Sequence, residues 1–163
     1  MPSKERFEDL GSIDQEGSNY MDFDFSGLDL DEFIFTKAEL EECDFIGCTL
    51  RKSAFHVSQL VTSDFSESDL SQANFSGSFM WNVFFEDAKL LSANFTNVSL
   101  SDVSFDRSDL TGSNFQAARF GSNVSFKNAN LTNARLYSVD LSEVDLTDAV
   151  LTGAQMPDGT IHD

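Results

Sequence analysis

The sequence is poor in the residues that disulfide-linked, secreted and membrane-spanning proteins need. Its 163 residues include two cysteines, two histidines, two prolines and one tryptophan. Two cysteines are too few for a disulfide framework and fit a reducing compartment, so we expect a soluble cytoplasmic protein. There is no cationic start followed by an apolar run, as in a secretory signal, and no stretch of membrane-spanning length. The scarcity of proline argues against a linker or a disordered chain.

Basic residues are also scarce. The chain has 10 Lys and Arg against 28 Asp and Glu, which gives a formal net charge of −18. A surface with this charge repels nucleic acid and anionic lipid, and it attracts basic partners or cations. We therefore expect neither direct nucleic-acid binding nor membrane binding.

Phenylalanine, by contrast, is abundant and follows a five-residue period. Large apolar residues occupy every fifth position from Phe25 to Phe120, and after a slip of one residue the period runs from Phe126 to Met156. A small or apolar residue stands two positions before most of them. On a helix the large residues would rotate by about 140° each time, and on one long strand they would alternate between faces. A short in–out–in strand followed by a bend fits the period, and stacked coils of such units bury their interior.

The large residues alternate between Phe and Leu, which predicts an even number of sides. With four sides, two opposite walls each carry a column of phenylalanines, and leucines fill the other two walls. Rings at the spacing of neighbouring strands, about 4.8 Å, stack favourably. We expect the structural core to contain Phe25, Phe45, Phe65, Phe85 and Phe105 in one column and Phe35, Phe55, Phe75, Phe95 and Phe115 in the other.

The repeat also has a characteristic order of residue types. Segments such as Ser68-Asp69-Leu70, Ala73-Asn74-Phe75 and Ala129-Asn130-Leu131 place a small residue, then Asp or Asn, then Leu or Phe. Over residues 20–156 this pattern resembles the pentapeptide-repeat family. The resemblance implies an all-β fold, a right-handed quadrilateral β-solenoid (a β-helix) with twenty residues per turn and about seven coils. The C-terminal ending resembles that of cyanobacterial members of the family.

Three segments depart from the repeat. Residues 1–19 are polar and form either a cap on the first coil or a partly disordered segment. Residues 157–163 contain a proline and a glycine, and we expect them to cap the last coil. The slip at 121–123 is a one-residue insertion. We interpret it as a bulge in which Gly121 supplies unusual backbone dihedrals, in preference to the alternative of a binding loop.

The repeat leaves no recognisable active site. Neither His56 nor His162 has a plausible nucleophile with an orienting carboxylate. Cys43 and Cys48 occupy the small inward position, so we interpret them as buried structural thiols. No phosphate-binding glycine loop, zinc-ligand spacing or nucleotide fingerprint occurs. We expect a protein that is not an enzyme and has no cofactor or metal.

One acidic feature of the surface has two interpretations. Asp24, Asp44 and Asp64 fall one coil apart on one wall and form a carboxylate ladder. Like charges about 5 Å apart repel by nearly 1 kcal/mol in water, which a bound cation would relieve. Bonding to nearby backbone groups is the more usual arrangement at this position, and oxygen ligands alone do not make a cation site.

A second surface feature is apolar. Phe79, Trp81, Phe84 and Leu91 fall on positions that should face solvent on adjoining walls, and Val61 lies one coil below Trp81. Exposed aromatic groups of this kind are typical of partner sites. A local distortion that turns some of them inward, or a self-contact between copies, explains the pattern equally well.

These features lead to two hypotheses of function. The first is a non-catalytic scaffold of unknown pathway that binds an unidentified protein around Trp81. The alternative is an acidic DNA mimic that binds DNA gyrase or another DNA-binding protein, as family members that bind gyrase are thought to do. Seven coils would span about 33 Å, a length over which DNA carries about 20 charges. We expect a monomer or a weak homodimer.

Overall fold

The fold consists of short strands joined by turns. The computed structural model describes residues 5–6 and 16–163, and this part of the chain contains no helix. Accordingly, no helix in it could span a membrane. The strands are β1 (Glu5–Arg6), β2 (Asn19–Met21), β3 (Phe23–Asp24), β4 (Glu39–Glu41), β5 (Gln59–Val61), β6 (Phe79–Phe84), β7 (Ser99–Ser104), β8 (Arg119–Phe120) and β9 (Val124–Ser125).

The chain winds into a four-sided parallel β-solenoid, as predicted. Strands β2, β4 and β5 pair in parallel with a step of twenty residues. Isolated parallel bridges repeat the same step at three further positions of the turn, starting from Asp24, Asp29 and Ile34. We number the walls in chain order. Wall 1 holds β2, β4, β5, β8 and the first halves of β6 and β7; wall 2 begins at Asp24, wall 3 at Asp29 and wall 4 at Ile34.

The number of turns in the solenoid, counted from the paired strands of wall 1, is smaller than expected. The strands of wall 1 pair in the order β2-β4-β5-β6-β7-β8, which makes five steps along the axis. The structure is therefore a solenoid of about five turns, and the predicted number of about seven was slightly too high. The last coil adds no strand to wall 1, and it pairs with the coil before it through isolated bridges such as Ser125↔Asp145 and Asn130↔Val150.

The corners explain why the sequence needs special residues between the strands. Phe25 O accepts a hydrogen bond from Leu28 N (3.1 Å), and Gly27 between them has a φ of 73°. This is the arrangement of a type II turn, which requires positive φ at its third residue. Twenty-one non-glycine residues of the described chain adopt a φ of 51–62°. Even β-branched Val57 and Thr62 do so, at a steric cost that the surrounding coils must offset.

The core is built from the two phenylalanine columns, whose ten expected members are 0–1% exposed. Within each column the ring centroids lie 4.6–5.1 Å apart and the rings are nearly parallel. Phe126 extends the first column. The two columns also touch across the interior, edge to face, at 5.5–6.2 Å. Both geometries are favourable for aromatic rings, so each phenylalanine of the column interior contacts four others.

The two ends of the solenoid are covered differently. β1 pairs with β3 in parallel, so Glu5–Arg6 lie along the first coil. The rest of the expected N-terminal cap falls mostly outside the described residues. At the other end the tail turns at Gly159 (φ 89°) and Ile161 forms an antiparallel bridge with Gln155. The last residues therefore cover part of the open edge of the last coil, which protects it from pairing with other chains.

The insertion at 121–123 is a local bulge, but Gly121 does not have the predicted role. The left-handed residue is Asn123, with a φ of 53°, and Gly121 is not among the residues of positive φ. Gly121 makes a close approach instead: its N–H donates to Leu100 O at 2.7 Å, and a Cβ there would make a tight contact of 3.1 Å with that oxygen. The expectation about its dihedrals was wrong because the corner position shifted by the inserted residue.

Candidate functional site

Strand alternation places the predicted aromatic residues on the outside of the solenoid. Phe79 and Trp81 flank the buried Met80 on β6, so both side chains point away from wall 1; they are 44% and 46% exposed. Val61 lies directly beneath Trp81 in the β5–β6 register and is half-buried. Phe84, at the other end of β6, is half-buried on the adjoining wall 2. We call Val61, Phe79, Trp81 and Phe84 the aromatic cluster.

Leu91 does not belong to this cluster. It is 38% exposed, but it follows Lys89, which pairs with Asp69 and Asp109 on wall 3. Wall 3 is opposite wall 1 in a four-sided coil, so Leu91 and Trp81 face away from each other. The expectation that they share adjoining walls was therefore wrong, because ten residues correspond to half a turn.

A hydrogen-bonded network fixes Trp81 and links it to the insertion. Trp81 Nε1 donates to Asp102 Oδ2 at 3.0 Å, and Asn123 Nδ2 donates to Asp102 Oδ1 at 2.7 Å. Asp102 and Asn123 stand at the same corner in successive turns, each with positive φ. Asp102 was not among the predicted site residues. Aligning the sequence in steps of one turn would have placed its carboxylate beside the tryptophan.

The acidic charge is concentrated on one half of the surface. Residues 22–156 contain 21 acidic and 8 basic side chains. Taking each wall with the corner that follows it, walls 1 and 2 hold 16 of these acids and 3 of the bases, a net charge of −13. Walls 3 and 4 hold the remaining 5 acids and 5 bases and are neutral together. The aromatic cluster lies on the two acidic walls, near the middle of their length.

The aspartate ladder is satisfied locally. Asp24, Asp44 and Asp64 are neighbours in successive turns of wall 2. Oδ1 of Asp24 accepts the N–H of Ser26 at 2.9 Å, and Oδ1 of Asp64 accepts that of Ser66 at 2.8 Å. Among the described residues, no group of three or more His, Cys, Asp or Glu is arranged to hold a metal ion. Of the two interpretations of the ladder, these hydrogen bonds agree with bonding to nearby backbone groups.

The cysteines and His56 make contacts that stabilise the fold. Both cysteines are buried thiols, and Cys48 Sγ lies 3.0 Å from Phe25 O. Burial raises the pKa of the Cys48 thiol to about 11, which disfavours the reactive thiolate. His56 Nδ1 lies 2.8 Å from Ser76 O and 2.9 Å from Ser76 Oγ, so the imidazole joins two neighbouring coils.

These features define a class of protein: a parallel, four-sided β-solenoid built from five-residue repeats. A family model described as "Pentapeptide repeats (8 copies)" matches residues 24–56, and one described as "Pentapeptide repeat region" matches residues 78–156. The chain belongs to the pentapeptide repeat family. No curated protein matches the sequence.

Several solved structures are similar to the chain. HetL, a pentapeptide repeat protein involved in heterocyst differentiation regulation from the cyanobacterium Nostoc sp. strain PCC 7120, is 21% identical; the match covers 93% of this chain and 94% of HetL, with a TM-score of 0.36. Trypsin-treated QnrB1, a plasmid-mediated fluoroquinolone resistance protein, is 18% identical over 88% and 77%, with a TM-score of 0.44. A pentapeptide repeat protein from the Arabidopsis thaliana thylakoid lumen is 27% identical over 80% and 69%, with a TM-score of 0.40.

Proposed function

We propose that the chain is a non-catalytic scaffold that binds a protein through the aromatic cluster. The observation that carries this proposal is the exposure of Phe79 and Trp81, 44% and 46%, in the middle of the face that holds the whole net charge of the solenoid. Large aromatic side chains surrounded by polar residues are typical of the centre of protein interfaces. The bond from Trp81 to Asp102 holds the indole in place, so little side-chain entropy is lost on binding.

The charge of walls 1 and 2 indicates the chemistry of the partner. A partner surface with Lys and Arg around an apolar centre would complement both the acidic rim and the aromatic cluster. Opposite charges speed the encounter of two proteins and exclude partners of the wrong charge. An arginine of the partner over the Trp81 ring would add a cation–π contact. We further expect the protein to be cytoplasmic and a monomer or weak homodimer, which sedimentation at increasing concentration tests.

The experiment compares two triple variants of the full chain in affinity capture. The first replaces three members of the cluster, Phe79→Ser, Trp81→Ser and Phe84→Ser. The matched control replaces three exposed apolar residues of walls 3 and 4, namely Ile34→Ser, Leu91→Ser and Val150→Ser.

The proposal expects a basic protein that the wild type and the control retain equally and that the cluster variant retains about tenfold less, a loss of roughly 1.4 kcal/mol. The cluster variant must keep the circular dichroism spectrum of the wild type. If it retains every protein that the wild type retains, the aromatic cluster is not the binding site.

The acidic walls also favour the alternative function, a DNA mimic that binds DNA gyrase or another DNA-binding protein. A net charge of −13 on two adjoining walls presents one strongly negative face, although walls 3 and 4 do not extend it around the solenoid. The mimic hypothesis predicts inhibition of supercoiling by purified gyrase, strongest at low salt and equal for the two triple variants. An absence of inhibition at low salt would rule out gyrase as the target of such a mimic.

A further inference from the structure

The last coil is open on wall 1. On the other three walls this coil pairs with the coil before it, through Ser125↔Asp145, Asn130↔Val150 and Arg135↔Gln155. On wall 1, β8 pairs with β7 only, and no described residue pairs with its other edge. The coil with the inserted residue lies between two coils that have no extra residue at this point. Here its backbone pairs with the preceding coil, through β7, but not with the following coil. The loss of pairing leaves a gap between β8 and residues 140–143.

The backbone on both sides of this gap is ready for further pairing. In a regular turn, the residue before the core position donates its N–H to the preceding coil, as Gln59 does to Ala38 O at 2.9 Å. The corner residue donates its N–H to the next coil, as Asp102 does to Ser122 O at 2.8 Å. The equivalent N–H groups in the gap, those of Asp140 and Asn123, have no hydrogen-bond partner in the described part of the chain.

The gap has the size and charge of a binding groove. Its volume is about 590 Å³, within the range of about 300–1,000 Å³ that is usual for ligand sites. The half-buried Phe120 contributes apolar surface, while Asp140, Glu143, Asp145 and Lys127 are the charged groups that line it. Lys127 Nζ is already bound to Asp145 at 3.0 Å. The groove therefore presents a net negative charge, with the Asp140 and Glu143 carboxylates as its uncompensated members.

We propose that this groove takes an extended basic segment of a partner protein, which adds a strand between the two coils. The main chain of the segment would accept hydrogen bonds from the Asn123 and Asp140 N–H groups, as an added strand does at a sheet edge. Its Lys or Arg side chains would meet the carboxylates of Asp140 and Glu143. The groove uses no member of the aromatic cluster, so this proposal does not depend on the proposed function.

The chain carries its own reporter of this site. Trp81 is its single tryptophan. The indole N–H is bound to Asp102, whose other oxygen is bound to the Asn123 side chain at the groove. Pairing of a peptide at the Asn123 backbone changes this network, so binding is expected to shift the emission of Trp81.

The test is the binding of short labelled peptides to the full chain, followed by fluorescence anisotropy and by Trp81 emission. The probe is Ac-KVKVK-NH2, and its comparison peptides are Ac-EVEVE-NH2 and Ac-KPKPK-NH2. The two prolines of the last peptide favour the polyproline II conformation over a β-strand and cannot donate to a strand ladder. The groove variant is Asp140→Asn with Glu143→Gln. The matched control is Glu39→Gln with Glu41→Gln, which removes the same charge from a fully paired part of wall 1.

The proposal expects the basic valine peptide to bind and both comparison peptides to bind at least about fivefold more weakly. The groove variant should lose about fivefold in affinity and the control should lose none. Equal losses in the two variants would show diffuse attraction to the acidic wall and overturn the proposal. Equal binding of the proline peptide would overturn strand addition.

Deletion of Ser122, which restores the twenty-residue step, gives an independent test. A deletion variant with the melting temperature of the wild type or higher should have closed the groove and lost the peptide. Unchanged binding by such a variant would refute the site. If the deletion prevents folding, the comparison of peptides and charge variants decides the question without it.

Discussion

Replacing Phe75 tests whether the phenylalanine columns stabilise the solenoid as aromatic contacts or only as buried volume. Phe75 is fully buried; its ring stacks on Phe55 at 4.7 Å and on Phe95 at 5.0 Å, and it meets Phe65 and Phe85 edge to face at 6.1 and 5.6 Å. Phe75→Ala should lower the free energy of unfolding by about 3–5 kcal/mol through the cavity that it creates. Phe75→Leu leaves a much smaller cavity but loses all four ring contacts, so we expect a loss of about 1–3 kcal/mol.

Urea denaturation of the variants measures these losses. A double-mutant cycle with Phe75→Leu and Phe95→Leu isolates one stacked pair, and it should give a coupling energy of about 0.5–1.5 kcal/mol. Leu70→Ala is the matched control, because Leu70 is equally buried on a wall without aromatic rings; its loss of about 2–5 kcal/mol reports volume alone. A coupling energy of zero, with Phe75→Leu no worse than other volume-conserving changes, would refute the role of stacking.

Three further predictions concern single positions. Val57→Gly should stabilise the chain by up to about 1 kcal/mol in urea denaturation, because a β-branched residue with a φ of 58° is strained; a loss of stability would contradict this. In a variant with Cys48 as its single cysteine, a pKa of about 11 predicts no reaction with a thiol reagent at pH 8 until the chain is unfolded. The pKa of Asp145 is lowered to about 2 by hydrogen bonds from Thr147 first and by Lys127 second. Carboxyl NMR titration should therefore show a larger upward shift for Thr147→Val than for Lys127→Gln, and the stability that Asp145 contributes should be lost as the pH falls from about 4 to about 2.

The repeat made the interior predictable because burial obeys the same period as the sequence. A residue such as Phe65 is followed five positions later by Leu70 on the next wall, so a single register error would have exposed every large apolar side chain at once. The exposure of Phe79 and Trp81 follows from the same rule, since both flank a buried position. For these residues, the place in the five-residue repeat determines whether the side chain points into the core or into solvent.

The departures from prediction all concern relations between coils. Leu91 was predicted to lie with Trp81 on adjoining walls, whereas their walls face opposite directions. The bond from Trp81 to Asp102 joins residues one turn and one position apart, because Ser101 lies directly above Trp81 and Asp102 follows it. Gly121 was assigned unusual dihedrals from its residue type, although what distinguishes it is its close approach to Leu100, which would crowd a side chain. Contacts of this kind depend on the position of the neighbouring backbone, which a five-residue pattern does not contain.

The aspartate ladder allows a prediction in which repulsion and local hydrogen bonding have opposite effects. Asp44 lies between Asp24 and Asp64, and neighbouring coils are about 4.8 Å apart. Each neighbour repels the Asp44 carboxylate by about 0.9 kcal/mol in water, and physiological salt roughly halves this energy. Asp44→Asn removes the charge and keeps a side-chain oxygen that can accept a backbone hydrogen bond. We therefore expect this variant to melt at a higher temperature than the wild type, with the largest difference at low salt.

Asp109→Asn is the control, because Asp109 lies between Lys89 and Asn130 and gains attraction from its lysine neighbour. This variant should be no more stable than the wild type, and the difference should shrink as salt is added. If Asp44→Asn melts lower than the wild type at every salt concentration, local bonding of the carboxylate outweighs the repulsion. If millimolar calcium raises the melting temperature of the wild type but not that of Asp44→Asn, the ladder binds a cation, and that ion instead of solvent relieves the repulsion between the carboxylates.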